Sequence, residues 1–265
     1  MRIILTGASM GIGEATARTL AGDKVSLALV ARSRDRLEQV AAEVKAKGGS
    51  AVPIAADLSR AEDAARVIPE AVEALGGVDV LINNAGVGIA NTLAAMNIED
   101  MRHLMEVNLF SVVRMMQDVI PHMRKEGGGV IVNISSVVSK ISLPTAGGYS
   151  ASKFALNAIS DAARVELAGD GIRVVTLCPG RVESNFHKNL LGGSRTAVWP
   201  KAWTSEQVAE AIADAIRSTP RERVLGLRNQ ALVGLQRLSP GLVSWVMGKI
   251  YERRIKPALQ REAKG

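Results

Sequence analysis

The chain has 265 residues, 47% of them hydrophobic and 22% charged, with a formal net charge of +7. That length and apolar content can bury a substantial core without disulfides or metals, and a single cysteine excludes an intrachain disulfide, which suits a reducing compartment. Only Ile3-Ile4-Leu5 precedes a glycine-rich turn, so no signal peptide is expected and the expected location is the cytoplasm.

Apolar runs alternate with helical patterns along the whole chain, which predicts an α/β fold of the Rossmann type, a doubly wound parallel sheet flanked by helices. The predicted strands are residues 2–6, 25–31, 51–56, 78–83, 129–135 and 172–178, with a seventh at 223–227. The first strand runs into Gly7-Ala8-Ser9-Met10-Gly11-Ile12-Gly13 and then a helical pattern from Glu14 to Leu20. Strand, glycine turn and helix in that order present backbone N–H groups and a helix N-terminus to a pyrophosphate, and side chains in the turn would block its approach. The spacing G-x-x-x-G-x-G departs from the general G-x-G-x-x-G dinucleotide pattern. The second strand ends Leu29-Val30-Ala31-Arg32-Ser33, with no acidic residue to accept hydrogen bonds from a ribose 2′-hydroxyl. A guanidinium and a hydroxyl there suit a 2′-phosphate instead. Asp57-Leu58 follows the third strand, where Asp57 could equally cap a helix near Ser59, and Asn83-Asn84-Ala85-Gly86 ends the fourth.

A helix predicted over 147–168 puts Tyr149 and Lys153 on one face, with Ser136 at the end of the preceding strand. An ammonium beside a phenol favours the phenolate, and a serine hydroxyl can hydrogen-bond a reacting oxygen, so the trio suits acid/base work on a carbonyl or secondary alcohol. Cys178, ending an apolar run before Pro179-Gly180, is expected to be a buried strand-end residue. His103, His122 and His187 lack metal-ligand spacing, so no metal is expected. Met101, Met105, Met115 and Met116 follow helical spacing and are expected in the core or a subunit contact.

Taken in order, the glycine turn from Thr6 to Gly13, Asp57-Leu58, Asn83 to Gly86, Asn108, Ser136, Tyr149, Lys153 and the run from Pro179 to Ser184 resemble the short-chain dehydrogenase/reductase family, nearly to Arg223. The resemblance implies the strand order 3-2-1-4-5-6-7 and a nicotinamide cofactor, NADP(H) preferred over NAD(H), across the carboxyl ends of the strands. By position, Gly7, Ser9, Met10, Gly11, Ile12 and Gly13 would take the pyrophosphate and Arg32 with Ser33 the 2′-phosphate. Many NADP-preferring relatives carry a basic residue where this chain has Met10. Asp57 and Leu58 would face the adenine, while Asn84, Ala85 and Gly86 would line the ribose side. Tyr149 and Lys153 would meet the nicotinamide ribose, and Pro179, Gly180, Val182 and Ser184 the carboxamide end. The implied reaction is hydride transfer to a carbonyl carbon with Tyr149 as proton donor, Ser136 orienting the oxygen, Lys153 lowering the Tyr149 pKa and Asn108 supporting a water chain. Relatives commonly pair the helices corresponding to 108–126 and 147–168, which implies a homodimer or homotetramer.

The segment from Glu183 to Trp203, with Phe186, Leu190, Leu191, Trp199 and Trp203, is expected to cover the substrate and to select a hydrophobic ketone or alcohol. A 3-oxoacyl-thioester reductase is the nearest alternative; a non-catalytic dinucleotide-sensing protein would be expected to lack Tyr149 or Lys153. Residues 1–229 are expected to form the catalytic domain and 230–265 a basic, partly apolar helical extension of it. From Arg217 to Gly265 eleven Lys or Arg stand against three Glu, a net +8, leaving −1 for the rest. No nucleic-acid recognition motif accompanies that charge, so no nucleic acid is expected. Two fates suit the extension: packing over the pocket or a neighbouring subunit, or peripheral contact with an anionic membrane.

Overall fold

A computed structural model describes residues 1–183, 186, 190–192 and 202–262, with the backbone alone at 261 and 262. Among the described residues there are nine strands and ten α-helices, with strands and helices alternating through the first half of the chain. Strands β1 (Arg2–Thr6), β2 (Ser26–Ala31), β3 (Ser50–Ala55), β4 (Val80–Asn83), β5 (Gly129–Ile134) and β6 (Ile172–Cys178) lie within two residues of the predicted bounds at every end. A short pair, β7 (Val182–Glu183) with β8 (Trp203–Thr204), lies outside the main sheet and was not predicted. The predicted strand at 223–227 is β9 (Glu222–Val224), which stops early because Gly226 turns at φ 89 and a helix begins at Leu227.

The main sheet has seven strands in the order β3-β2-β1-β4-β5-β6-β9, parallel in every pairing. β1 pairs with β2 on one side and β4 on the other, so the winding reverses there and opens a crevice at the strand ends. Helices cover both faces, which is why the strands are apolar throughout rather than alternating. Ile3 and Leu5 point into one core, with α1 (Gly11–Leu20), α2 (Arg34–Ala46) and α7 (Ser205–Ser218) packed over it. Ile4 points into the other, beneath α3 (Ala61–Leu75), α5 (Ser111–Lys125) and α6 (Gly147–Glu166). Met115 and Met116 are buried in that second core, and Met105 packs against it. α4 (Ile98–Met105) joins α5 through a π-helical turn, Glu106–Phe110.

α7 starts sharply because Thr204 and Gln207 form a reciprocal cap, each side chain bonding the other's backbone N–H. The C-terminal extension consists of α8 (Leu227–Leu238), α9 (Pro240–Ile250), a π-helical turn at Tyr251–Ile255 and α10 (Lys256–Glu262). Val233, Val243 and Met247 from α8 and α9 meet Ile141 in a third, smaller core, joined by Val137 and Leu143. The extension is thus seated on the loop that follows β5.

Candidate active site

The glycine turn is fixed by hydrogen bonds from the end of β4. The buried Thr6 hydroxyl donates to the Ile82 carbonyl at 3.3 Å and accepts from the N–H groups of Asn84 and Ala85, both at 3.0 Å. Asn84 Nδ2 returns to the carbonyls of Thr6 and Gly7 at 3.0 and 3.2 Å. Gly7 and Gly11 hold φ of 68° and 57°, a region that L side chains resist. At Gly13 any Cβ would collide with the Gly7 carbonyl and with Asn84 Nδ2, so the first turn of α1 can approach β1 only without a side chain there. Met10 precedes the helix in extended conformation and makes no side-chain cap. The first turn of α1 is thus without a side-chain cap, an arrangement able to receive an anion such as a pyrophosphate. Ser9 is buried and Ile12 packs against the core, which holds the turn in place.

Arg32 and Ser33 are exposed immediately beyond β2, with Ser33 at the N-terminus of α2 making no side-chain cap. Asp57 does not cap α3, whose first flanking residue is Arg60. Its carboxylate instead accepts from the Ser59 N–H at 3.0 Å and the Ser59 hydroxyl at 2.8 Å. Burial pushes the Asp57 pKa up, but the Ser59 hydrogen bonds and the charges of Arg32 and His103 outweigh it and hold the carboxyl below its usual value. Leu58 is buried beside it. This corner therefore combines a fixed acceptor with a guanidinium at the end of β2.

Asn108 is buried in the π-helical turn, with both ends of its amide engaged. Oδ1 accepts from the Val87 N–H at 2.9 Å, while Nδ2 donates to the Val87 carbonyl at 2.9 Å and Ser152 Oγ at 3.1 Å. That clasp ties the stretch after Gly86 to α6. Lys153 is buried and its ammonium donates to the Ile134 carbonyl at 2.9 Å. A Cβ at Gly86 would lie 3.2 Å from Asn108 Oδ1 and 3.8 Å from Lys153 Nζ, so a side chain there would press on the Asn108 amide.

Tyr149 is half-buried at the start of α6. Burial pushes its pKa up from 10.0 to about 12, partly opposed by hydrogen bonding with Ser136. Burial likewise pulls Lys153 down from 10.5 to about 8. The expectation that Lys153 lowers the Tyr149 pKa gives way to desolvation, with Lys153 Nζ 5.9 Å from the ring centre. Ser136, buried at the end of β5, also accepts from the Val138 N–H at 3.3 Å. The Pro179 carbonyl accepts from Val137 N–H at 2.8 Å, bringing Pro179-Gly180 against the serine loop. Gly180 packs on Asn229 of α8, where a Cβ would collide, and Val182 is buried in β7. Ser184, His187, Trp199 and Lys264 lie outside the described residues.

Further residues join this cluster, Phe186 and Leu190 from the expected substrate segment and others, such as Asn157, without any sequence signal. The Phe186 ring centre is 5.6 Å from that of Tyr149, and Gly88 lies against both Phe186 and Leu190. Gly148 lies against Ile89, Met96 and Met101, so apolar side chains crowd the first turn of α6. Asn157, one turn beyond Lys153 on α6, bridges several elements. With its amide oriented to satisfy all neighbours, Nδ2 donates to the Lys153 carbonyl at 3.2 Å and Oδ1 accepts from Lys140 Nζ at 2.9 Å. Lys140 in turn pairs with Glu222 of β9 at 2.5 Å. Cys178 is buried at the end of β6 beside Ser139, and burial raises its thiol pKa. Further inside, Asn83 donates to Asn133 at 2.9 Å and Asn133 to Ser160 at 2.8 Å, an amide relay between β4, β5 and α6.

A parallel doubly wound sheet with an uncapped glycine turn at its reversal point, facing a Ser-Tyr-Lys cluster, defines a dinucleotide-binding oxidoreductase scaffold. Residues 1–193 match the family model described as short chain dehydrogenase, and the chain belongs to the short-chain dehydrogenase/reductase family of oxidoreductases. It is 33% identical over 225 residues to the ketoacyl reductase HetN of a Nostoc species, covering 84% of this chain and 77% of that one. Among solved structures, an alcohol dehydrogenase from Thermococcus sibiricus complexed with 5-hydroxy-NADP is 33% identical, with TM-score 0.75, covering 84% of this chain and 94% of that one. A short-chain dehydrogenase from Sphingobium yanoikuyae in complex with NADPH is 28% identical, with TM-score 0.78 and coverage of 91% and 94%.

Proposed function

We propose that the protein is an NADPH-dependent oxidoreductase interconverting a carbonyl and a secondary alcohol on a hydrophobic small molecule. The observation that carries this reading is the convergence of Ser136, Tyr149 and Lys153 beside Gly86, at the end of the sheet where the glycine turn opens. Bound NADPH supplies the hydride for the carbonyl carbon. Tyr149, kept protonated by burial, donates its proton to the carbonyl oxygen, and Ser136 hydrogen-bonds that oxygen and orients it. Lys153 holds the nicotinamide ribose hydroxyls from behind Gly86. Asn108, its amide held by Val87 and Ser152, fixes the stretch after Gly86 against α6 and supports the water chain that reloads the proton.

At the other end of the cofactor, the Gly7–Gly13 turn receives the pyrophosphate while Asp57 and Leu58 meet the adenine. Arg32 and Ser33 take the 2′-phosphate, and Asn84, Ala85, Pro179, Gly180, Val182 and Ser184 complete the nicotinamide side. Preference for NADP(H) over NAD(H) rests on Arg32 and is supported by the NADP-type ligands of the two similar structures. The Phe186 ring against Tyr149, with Leu190 beside Gly88 and Ile89 and Met96 beside Gly148, supports a hydrophobic ketone or alcohol as substrate. Likeness to a ketoacyl reductase supports a second reading, reduction of a 3-oxoacyl thioester, which a substrate panel separates from the first. The exposed Phe110 and Phe154 beside α5 and on α6 support a homodimer or homotetramer, working in the cytoplasm.

Tyr149→Phe removes the donated proton while sparing the cofactor turn. Turnover should fall by about 10²–10⁴-fold with NADPH affinity near wild type, as read by steady-state kinetics and cofactor fluorescence. Wild-type turnover in that variant would overturn the assignment.

A further inference from the structure

The outward faces of the last helices are apolar where a water-facing helix should be polar. On α8, Leu227, Leu235 and Leu238 are 82%, 39% and 87% exposed, and only Val233 is buried. Leu227, Ala231 and Leu238 follow at spacings of four and seven, so they share one stripe, and Ala231 is exposed as well. On α9, Leu242 and Trp245 are 47% and 63% exposed on the side opposite the buried Val243 and Met247. The extension thus has two apolar faces. One is consumed by the small core on Ile141; the other has no cover among the described residues.

Cations flank that second face. Arg228 and Arg237 are exposed on α8, and Lys249 extends over the Trp245 ring at 5.8 Å from its centre. Arg253 and Arg254 follow in the next turn, also exposed. Between Glu222 and Glu252 there is no acidic residue at all. Uncovered leucines and a tryptophan, flanked by arginine and lysine with no carboxylate in sequence between Glu222 and Glu252, match a lipid boundary with negative headgroups above and acyl chains below. No helix among the described residues is long and apolar enough to cross a membrane.

We propose that the face formed by Leu227, Leu238, Leu242 and Trp245 docks peripherally on an anionic lipid surface, with Arg237 and Lys249 contacting the headgroups. A second copy of the chain would be a poorer occupant, because an antiparallel pairing of this face would bring its own cations together.

The full-length protein should co-sediment with vesicles of phosphatidylcholine and phosphatidylglycerol but not with phosphatidylcholine alone. Trp245 emission should shift to the blue on binding, with Trp245→Phe identifying the signal. The double variants Leu238→Glu/Trp245→Glu and Arg237→Glu/Lys249→Glu should each weaken sedimentation by about tenfold or more. Both should leave melting temperature and reduction of a water-soluble ketone unchanged, so that a failure of docking is separable from a failure of the proposed chemistry. Equal sedimentation of wild type and both variants would overturn the proposal. So would a wild-type oligomer that dissociates in the Leu238→Glu/Trp245→Glu variant without lipid, which would assign the face to a second copy.

Discussion

The glycine turn and the C-terminal helices are opposite ways of preparing a surface for a partner. At the turn, each nearby amide and hydroxyl is engaged by the chain itself, from Thr6 to Asn84, and the open donors are backbone groups at one helix end. At α8 and α9 the backbone is ordinary helix and the preparation lies in side chains left outside: leucines, a tryptophan and cations. The first surface depends on shape to a fraction of an ångström. The second depends on composition and can absorb substitutions one at a time.

A methyl group at Gly13 tests that contrast most severely. Gly13→Ala forces a Cβ onto the Gly7 carbonyl, which is backbone and cannot swing away, so NADPH binding should be lost and melting temperature should drop. An alanine variant that binds NADPH normally would show that the turn has more slack than its packing allows. Arg32→Asp comes next, because it changes charge without disturbing packing at an exposed site. It should raise KM for NADPH by about tenfold or more and lower it for NADH; unchanged KM values would remove Arg32 from the 2′-phosphate site.

The smallest effect is a slope. Burial holds Lys153 at about 8 against an ordinary 10.5, so between those values the unfolded chain binds more protons than the native one. Stability of the cofactor-free protein should rise with pH across that window and be lowest below about 8. Tyr149, raised from 10.0 to about 12, gives the opposite slope only above 10.0. Thermal melts should show wild type gaining on Lys153→Met as pH rises from about 8 to about 10. A constant gap would mean that Lys153 is solvated in the native state.

Much of the fold was legible because fully buried parallel strands are written as short apolar runs, and six of them lie within two residues of their predicted bounds at every end. Strand order came with the family resemblance, since apolar runs do not announce their neighbours. β7 and β8 were missed because two-residue strands have no periodicity to detect. The Tyr149 and Lys153 spacing showed which groups share a helix face. It could not show how deeply they are buried, and depth reverses the expected direction of the Tyr149 shift. Asn157, Lys140 and Glu222 were invisible for another reason: they come from α6, the loop after β5 and β9, and meet only when those segments fold together.

The loop after β5 has two tenants. Its beginning holds the Ser136 hydroxyl near Tyr149, and Val137, Ile141 and Leu143 form the floor on which α8 and α9 rest. The last helices and the Ser136 hydroxyl, which in the proposed reaction orients the substrate oxygen, therefore share one short stretch of backbone. A shift of the extension, from whatever it rests upon, reaches the serine without passing through the glycine turn, so substrate positioning can be retuned while the grip on the cofactor stays as it is.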